Sequence, residues 1–402
     1  MKDQERRTRL PIGIIRVIIL LIAVFFFAGA MEGGAIIYNL ITRSPTTLYR
    51  LRQLKPPPYR DASYFSQEFI SESFRQPGGW QYPKGTQLII PNDFSGKYFN
   101  VADGKRRTAF QPDDFEHAVY VFGGSTVYCS EVPDEFTMPS RLQLILGQRY
   151  GKKYLVENYG TTTVSVAQQV ERLKTVRLAK GDIVVFFDGD NDVYQRVYLA
   201  AGNQSELQKK RDAFNKMNFL LKLRFWIYLN FVDRSQFVKT FMNPYNVTIP
   251  NHLTNEVQRQ HICEELYLAY KANILEANRI ASAAGARFFH FLQPNLFTMG
   301  KRTKYEEALI RNRYITPVGF EIAVRIAYPV LRKVVSDIAA ECRSSDFSTL
   351  LSGRTLNEEF YLDAWHVNDR ANQIVAESIA NIITGAGDQK ESGTVTGSSA
   401  GR

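Results

Sequence analysis

Short apolar runs alternate with longer amphipathic stretches along most of the chain. The runs are rich in β-branched and aromatic residues and predict buried strands at 118–122, 154–157, 183–187 and 287–292. The stretches predict helices at about 138–150, 164–179, 255–284, 317–344 and 370–383. Asp369 is placed to be the N-cap of the last helix. Strands that alternate with helices in this way predict a parallel sheet covered by helices on both faces.

The amino end has a different pattern. Residues 1–9 are polar and basic, and residues 10–42 are apolar except around Arg16 and Glu32. This segment is long enough to cross the roughly 30 Å of hydrocarbon in a bilayer. We therefore expect a single-pass anchor in the inner (cytoplasmic) membrane, with a cytoplasmic basic end and the remainder on the periplasmic or extracellular side. Ala28-Gly29-Ala30 resembles a signal-peptidase site, so cleavage as a signal peptide is the alternative.

The rest of the chain divides by composition. Residues 43–115 are rich in proline and aromatic residues and predict a linker with a small accessory region, in which the pair Arg106 and Arg107 either faces a substrate or is solvated. Residues 116–384 carry the strand–helix alternation, with an insertion at 193–285, and 385–402 predict a disordered tail. The apolar stretch 219–229 in the insertion predicts either an interfacial lid helix or a core helix.

Composition and charge bear on the number of domains and on the kinds of partner and cofactor to expect. The 402 residues are 45% hydrophobic, enough for one large domain or two ordinary ones, and the net charge of +10 favours anionic surfaces. No nucleic-acid motif is present, so we expect a membrane and not nucleic acid as a partner. Three cysteines without metal-type spacing and five dispersed histidines give no reason to expect a metal or a cofactor.

Residues with catalytic chemistry follow the predicted strands. Ser125 closes the first strand, Gly160 the second and Asn191 the third, while Asp363 and His366 precede the last helix. In a parallel sheet these carboxyl ends lie on one edge, where ligands bind. Acyl transfer by serine needs a base, a carboxylate that orients the base, and donors for the oxyanion.

The residue types assign these roles. Ser125 is the predicted nucleophile, His366 the general base and then acid, and Asp363 its orienting carboxylate. The N–H groups of Ser125 and Gly160 and the side-chain amide of Asn191 are the predicted oxyanion donors. Taken singly, each has a structural explanation as a helix cap, a turn residue or a hydrogen-bonded histidine. Their order and their places at strand ends favour catalysis.

Four short blocks in this order resemble the SGNH (GDSL-like) hydrolase family over about residues 118–384. They are Phe122-Gly123-Gly124-Ser125, Asn158-Tyr159-Gly160, Gly189-Asp190-Asn191-Asp192 and Asp363-Ala364-Trp365-His366. The resemblance implies a flavodoxin-like three-layer α/β/α sandwich and ester hydrolysis or acyl transfer without a metal, with the same five residues in the same roles. The usual aspartate before the serine is Gly124 here, a variant that occurs in membrane-anchored members involved with surface polysaccharides.

Three other patterns in the sequence indicate a catalytic or metal site, with less support than the Ser125 site. Asp114 and His117 also form D-x-x-H, but they lie at the amino end of the first strand, more than about 15 Å from Ser125. Asp188, Asp190 and Asp192 begin like a calcium loop, which then lacks its glycine and its closing glutamate. Cys129, near the predicted nucleophile, is expected to be a small buried side chain.

The sequence thus predicts an exported serine esterase that hydrolyses an ester, most specifically an O-acetyl ester, on a cell-surface glycan through an acyl-enzyme on Ser125. One alternative is an O-acyltransferase that uses the same acyl-enzyme. Another is a catalytically silent binding or scaffold module of the envelope, for which Gly124 is the only hint. The oligomeric state is not predicted.

Overall fold

The computed structural model describes residues 12–42, 55–75, 79–200, 249–311, 316, 319–353 and 358–385. The helix at 12–42 belongs to one compact unit, and the other described residues belong to a second. The basic end 1–9, the apolar stretch 219–229 and all but the first residue of the predicted tail 385–402 lie outside the described residues.

The first unit contributes helix α1 (Ile12–Thr42). Its apolar side chains are exposed from Val17 to Phe27. The stretch Arg16–Ala35 is long and apolar enough to cross a membrane, a property that signal sequences share. The predicted spanning segment therefore corresponds to one continuous helix, whose topology and cleavage stay predictions.

An eight-stranded sheet forms the centre of the second unit. The strands of this unit are β1 (Trp80–Gln81), β2 (Ile90–Pro91), β3 (Phe94–Ser95), β4 (Asn100–Ala102), β5 (Lys105–Arg106), β6 (His117–Gly123), β7 (Tyr154–Gly160), β8 (Ile183–Asp188), β9 (Arg287–Leu292) and β10 (Ser344–Asp346). The order in the eight-stranded sheet is β10-β9-β8-β6-β7-β5-β4-β3, in which the first five strands are parallel and the last three antiparallel. Strands β1 and β2 form a separate antiparallel pair.

Helices cover both faces of the parallel strands. The helices of the second unit are α2 (Gln67–Arg75), α3 (Ser125–Tyr128), α4 (Met138–Tyr150), α5 (Val166–Leu173), α6 (Asp190–Asp192, continued as a π-helix over Val193–Tyr198), α7 (Asn251–Thr254), α8 (Glu256–Ala283), α9 (Lys304–Arg311), α10 (Phe320–Cys342) and α11 (Asp369–Ile383). Helices α5, α8 and α10 bury one face, and α4 and α11 the other. The predicted three-layer α/β/α sandwich with a mainly parallel sheet is confirmed.

The strand order locates a binding crevice. Taken in chain order, the parallel strands β6, β7, β8, β9 and β10 are arranged 2-1-3-4-5, which is the flavodoxin-like order. The order reverses between β6 and β8, and such sheets bind ligands beyond the carboxyl ends of the strands at this point. Ser125 follows β6 and Asn191 follows β8, so both lie at the reversal.

The structure corrects several sequence-based expectations. Within the predicted insertion 193–285, helix α8 packs its buried residues in the core cluster of the sheet, as a crossover helix between β8 and β9 does. The helix predicted at 164–179 is shorter and covers only Val166–Leu173, because the chain leaves the helical conformation after Leu173. Asn368, and not Asp369, is the N-cap of α11, because its side chain accepts the Ala371 N–H.

The predicted accessory region 43–115 is tied to the same unit where it is described. Strand β5 pairs with β7 and so extends the sheet. Residues 55–75 contribute Tyr59, Tyr64 and Phe69 to an aromatic cluster that also buries Cys129 and Val132. This region therefore packs against the loop that follows Ser125.

Candidate active site

The backbone around Ser125 is held by a tight strand-to-helix turn. Strand β6 ends at Gly123, Gly124 is the N-cap of α3, and Ser125 is its first residue. A Cβ on Gly123 would lie 2.5 Å from the Phe187 carbonyl oxygen, so no side chain fits there. As the first residue of a helix, Ser125 has an N–H without an intrahelical acceptor.

Ser125, His366 and Asp363 form a continuous hydrogen-bonded array. The His366 Nε2 lies 2.8 Å from the Ser125 Oγ, and its Nδ1 lies 2.6 Å from the Asp363 Oδ2. The other carboxylate oxygen of Asp363 accepts the N–H groups of Trp365 and His366 at 2.9 and 2.7 Å. The structure therefore brings together the three residues that the sequence predicted, with the carboxylate fixed by the backbone of its own loop.

The loop that carries His366 is closed on itself. The Leu362 N–H donates to the His366 carbonyl at 2.9 Å, and Tyr361 and Val367 form an isolated antiparallel bridge. The Asn368 side chain donates to the Pro58 carbonyl at 2.8 Å and so ties the loop to the accessory region. His366 thus reaches Ser125 from a loop that is fixed at both ends.

The electrostatics of the array favour a proton on His366. Burial opposes the charged imidazolium, but the negative charges of Asp363 and Glu131 outweigh it and raise the pKa of His366 to about 9. Burial also opposes the Asp363 carboxylate, yet the charge of His366 and its hydrogen bond hold the pKa of Asp363 below its usual value. His366 consequently has to lose a proton before it can accept one from Ser125.

Asn191 is positioned by buried polar contacts. Strand β8 leads into Gly189, which has φ +130° and whose Cβ would lie 2.6 Å from the Leu292 side chain. The buried carboxylate of Asp190 accepts the Asn295 amide at 2.6 Å and the Tyr328 hydroxyl at 2.7 Å. Burial raises the pKa of Asp190 to about 7, against the opposing effect of these hydrogen bonds. These contacts fix the backbone that leads directly into Asn191.

Gly124 explains how Asn191 comes to lie beside the serine. A Cβ at position 124 would be 2.2 Å from the Asn191 Nδ2, so the amide occupies the place of that side chain. The departure from the G-D-S pattern thus has a local physical reason. The amide lies next to the residue that precedes Ser125, where a developing oxyanion can receive a hydrogen bond.

Substituting Gly124→Ala is expected to displace the Asn191 amide and to lower kcat/KM for ester hydrolysis by about 10²-fold, the usual cost of losing one oxyanion donor. Folding should be retained, because an asparagine side chain can rotate away. Steady-state kinetics and a melting curve check both. Gly147→Ala in α4 is the control, since nothing lies within 4 Å of its Cβ position. Equal kinetics for the two variants would contradict the assignment of Asn191.

Gly160, the third predicted oxyanion donor, lies at the end of β7. Its N–H donates to the Asn158 side-chain oxygen at 2.9 Å, so this donor is already in use. Its Cβ position lies 2.3 Å from the Tyr128 N and 2.6 Å from the Val127 C. Gly160 therefore allows α3 to pack closely on the end of β7, and its N–H would have to leave the Asn158 oxygen to serve as the predicted oxyanion donor, a role that stays a prediction. A glycine at a strand end gives the same sequence signal in both cases.

Arg106 is the main residue whose role the sequence did not reveal. It is 1% exposed and thus neither solvated nor directed at a substrate. Its guanidinium donates to the carbonyls of Tyr128, Cys129 and Val132, and it pairs with Asp134 at 3.1 Å. Arg106 therefore fixes the loop that continues from the serine helix. The basic pair Arg106 and Arg107 was the only sequence signal.

The side chains of the rival patterns have structural positions and partners. His117 begins β6, at the edge opposite to Ser125. Asp188 accepts the Tyr270 hydroxyl, Asp190 the Asn295 amide and Asp192 the Val166 N–H, so each aspartate of the calcium-like pattern is bound by a donor of its own. In the described ranges no group of three or more His, Cys, Asp or Glu side chains could hold a metal ion.

Cys129 follows the serine helix but is not a second nucleophile. Its thiol donates to the Thr126 carbonyl at 2.8 Å. Burial raises its pKa to about 12, so the thiolate is scarcely populated at neutral pH. It is a small buried side chain, as expected.

No protein-family model and no curated protein matches the chain. Solved structures that resemble it include a lipolytic protein of the G-D-S-L family from Veillonella parvula, with 13% identity, a TM-score of 0.35 and coverage of 67% of this chain and 98% of that one. An acetylxylan esterase from Geobacillus stearothermophilus has 15% identity, a TM-score of 0.37 and coverages of 66% and 94%. A lipolytic protein described as putative, of the G-D-S-L family, from Desulfitobacterium hafniense has 12% identity, a TM-score of 0.34 and coverages of 66% and 98%.

Proposed function

We propose that the chain is a serine hydrolase that cleaves esters through an acyl-enzyme on Ser125. The observation that carries the proposal is the Ser125–His366–Asp363 array, with contacts of 2.8 and 2.6 Å, at the reversal point of the sheet. Such an array supplies the nucleophile, the base and the orienting acid that acyl transfer needs.

The chemistry follows from the positions of the atoms. Neutral His366 takes the hydroxyl proton of Ser125 at Nε2 while the Oγ attacks the ester carbonyl carbon. The tetrahedral oxyanion is stabilised by the Ser125 N–H and the Asn191 amide. His366 then returns the proton to the leaving alcohol, and the same steps with water release the acid. Asp363 stays ionised and holds the imidazole by its Nδ1.

The proposed substrate rests on the sequence resemblance and on the amino-terminal helix. An O-acetyl ester on a cell-surface glycan fits the sequence resemblance, and an apolar amino-terminal helix would keep the enzyme at the envelope. Export, anchoring on the periplasmic or extracellular side, and the glycan are all parts of this proposal. Transfer of the acyl group to a sugar hydroxyl uses the same acyl-enzyme and is an outcome that the test separates.

The test is acetate release by the detergent-solubilised full chain from p-nitrophenyl acetate and from an O-acetylated polysaccharide such as acetylxylan. Acetate release from both, absent in Ser125→Ala, is the expected result. Formation of an acetylated sugar in place of free acetate, when a sugar acceptor is added, would indicate the transferase. Absence of turnover with every ester and acceptor would contradict both and leave the scaffold hypothesis.

A further inference from the structure

A second carboxylate faces His366. The Glu131 Oε1 lies 3.7 Å from the His366 Nδ1, the same nitrogen that contacts Asp363 at 2.6 Å. The side chain of His366 is 14% exposed and that of Glu131 is 20% exposed, so solvent screens the pair only in part. Two negative groups therefore act on one imidazole from two different loops.

The position of Glu131 is built by its surroundings. The Ser130 hydroxyl donates to the Glu131 Oε1 at 2.7 Å and orients the carboxylate. The Tyr59 hydroxyl donates to the Glu131 carbonyl at 2.7 Å and ties its backbone to the accessory region. Arg106 binds carbonyls on both sides of it, those of Cys129 and Val132. Glu131 is thus held beside His366 by three separate contacts.

The neighbouring groups that raise the pKa of His366 are all carboxyl groups. Asp363 approaches from its own loop, Glu131 from the loop after α3, and Asp190 from the turn after β8. Asp363 alone provides the orienting hydrogen bond, because Glu131 at 3.7 Å is beyond hydrogen-bond distance. The effect of Glu131 is therefore electrostatic.

We propose that Glu131 is a positioning residue whose charge stabilises the imidazolium of His366 and thereby sets the pH range in which Ser125 is activated. The inference rests on the proposed function, which makes His366 the base. The charge has two opposite effects. It lowers the fraction of neutral His366 at pH 7, and it stabilises the imidazolium that forms as Ser125 attacks.

Glu131→Gln tests this, because glutamine keeps the shape and can still accept the Ser130 hydrogen bond. The midpoint of the acid limb of kcat/KM should move to lower pH by about one pH unit, while the alkaline plateau falls about threefold to tenfold. Glu131→Asp keeps the charge, so its acid-limb midpoint should lie close to that of the wild type. Glu135→Gln, in the same loop and exposed, should leave the profile unchanged.

The same acid-limb midpoint of kcat/KM in Glu131→Gln as in the wild type would overturn the proposal. If Glu131→Gln does not fold, the pair Glu131→Asp and Glu131→Asn provides the same comparison. An NMR titration of the His366 ring, compared between wild type and the charge-removing variant, gives a readout without turnover. A lower midpoint there without ester hydrolysis would support the role of Glu131 and contradict the proposed function, so the two failures are distinguishable.

Discussion

Ser125→Ala is expected to lower kcat for ester hydrolysis by about 10⁴-fold or more, because the proposed mechanism forms the acyl-enzyme on the Ser125 Oγ. Residual turnover would come from the oxyanion donors and from substrate binding. In the double variant Ser125→Ala/His366→Ala, kcat should be only slightly lower than in Ser125→Ala, since a nucleophile and its base act as a unit. The melting temperature should change by only a few degrees, since one partly exposed hydroxyl is lost.

The measurement is kcat with p-nitrophenyl acetate beside a melting curve. Ser378→Ala is the control, because its hydroxyl donates to the Ile374 carbonyl within α11. This control should keep wild-type turnover. A Ser125→Ala variant that retains a tenth of the wild-type kcat would contradict the assignment of the nucleophile.

Arg106→Met is expected to lower the free energy of unfolding by about 3–5 kcal/mol, the cost of leaving a buried charge unpaired. The substitution leaves Asp134, which is 5% exposed, without its ion-pair partner and removes the donors to three carbonyls. Ester hydrolysis should fall as well, because the loop from Tyr128 to Asp134 carries Glu131 and continues from the serine helix.

Urea unfolding measures the first effect and kcat/KM the second. Arg107→Met is a matched control, since Arg107 is the next residue and is exposed. Its unfolding free energy should stay within about 0.5 kcal/mol of wild type. An equal decrease of the unfolding free energy in the two variants would contradict the role of Arg106 as the residue that binds and fixes this loop.

The parallel core could be predicted because its central strands are buried on both faces. Strands β6, β8 and β9 are largely apolar runs rich in β-branched and aromatic residues, a pattern typical of buried parallel strands. Strand β7 instead alternates buried and half-buried residues, which is the ordinary period-2 pattern of a strand. Part of the candidate site could be predicted for a related reason. A parallel sheet brings its strand ends to one edge, so chain order and residue type placed Ser125 and Asn191 there. His366 lies in a loop well beyond β10, and its place beside Ser125 was expected only from the resemblance of the Asp363–His366 block.

The remainder depends on tertiary contacts that leave no local pattern. Strand β10 is Ser-Ser-Asp, three polar residues that become a strand only because β9 offers a free edge. Gly160 has the same sequence signal whether its N–H is free or bound to Asn158. Arg106 and Glu131 act through partners 20 or more residues away, which the order of residues along the chain does not specify.

The central claim, a nucleophilic Ser125 activated by His366, is tested most directly by labelling the full chain with a fluorophosphonate and mapping the adduct by mass spectrometry. We expect one adduct, on Ser125, which disappears in Ser125→Ala and forms far more slowly in His366→Ala. An adduct on a different serine, or none in a preparation that hydrolyses p-nitrophenyl acetate, would contradict the claim.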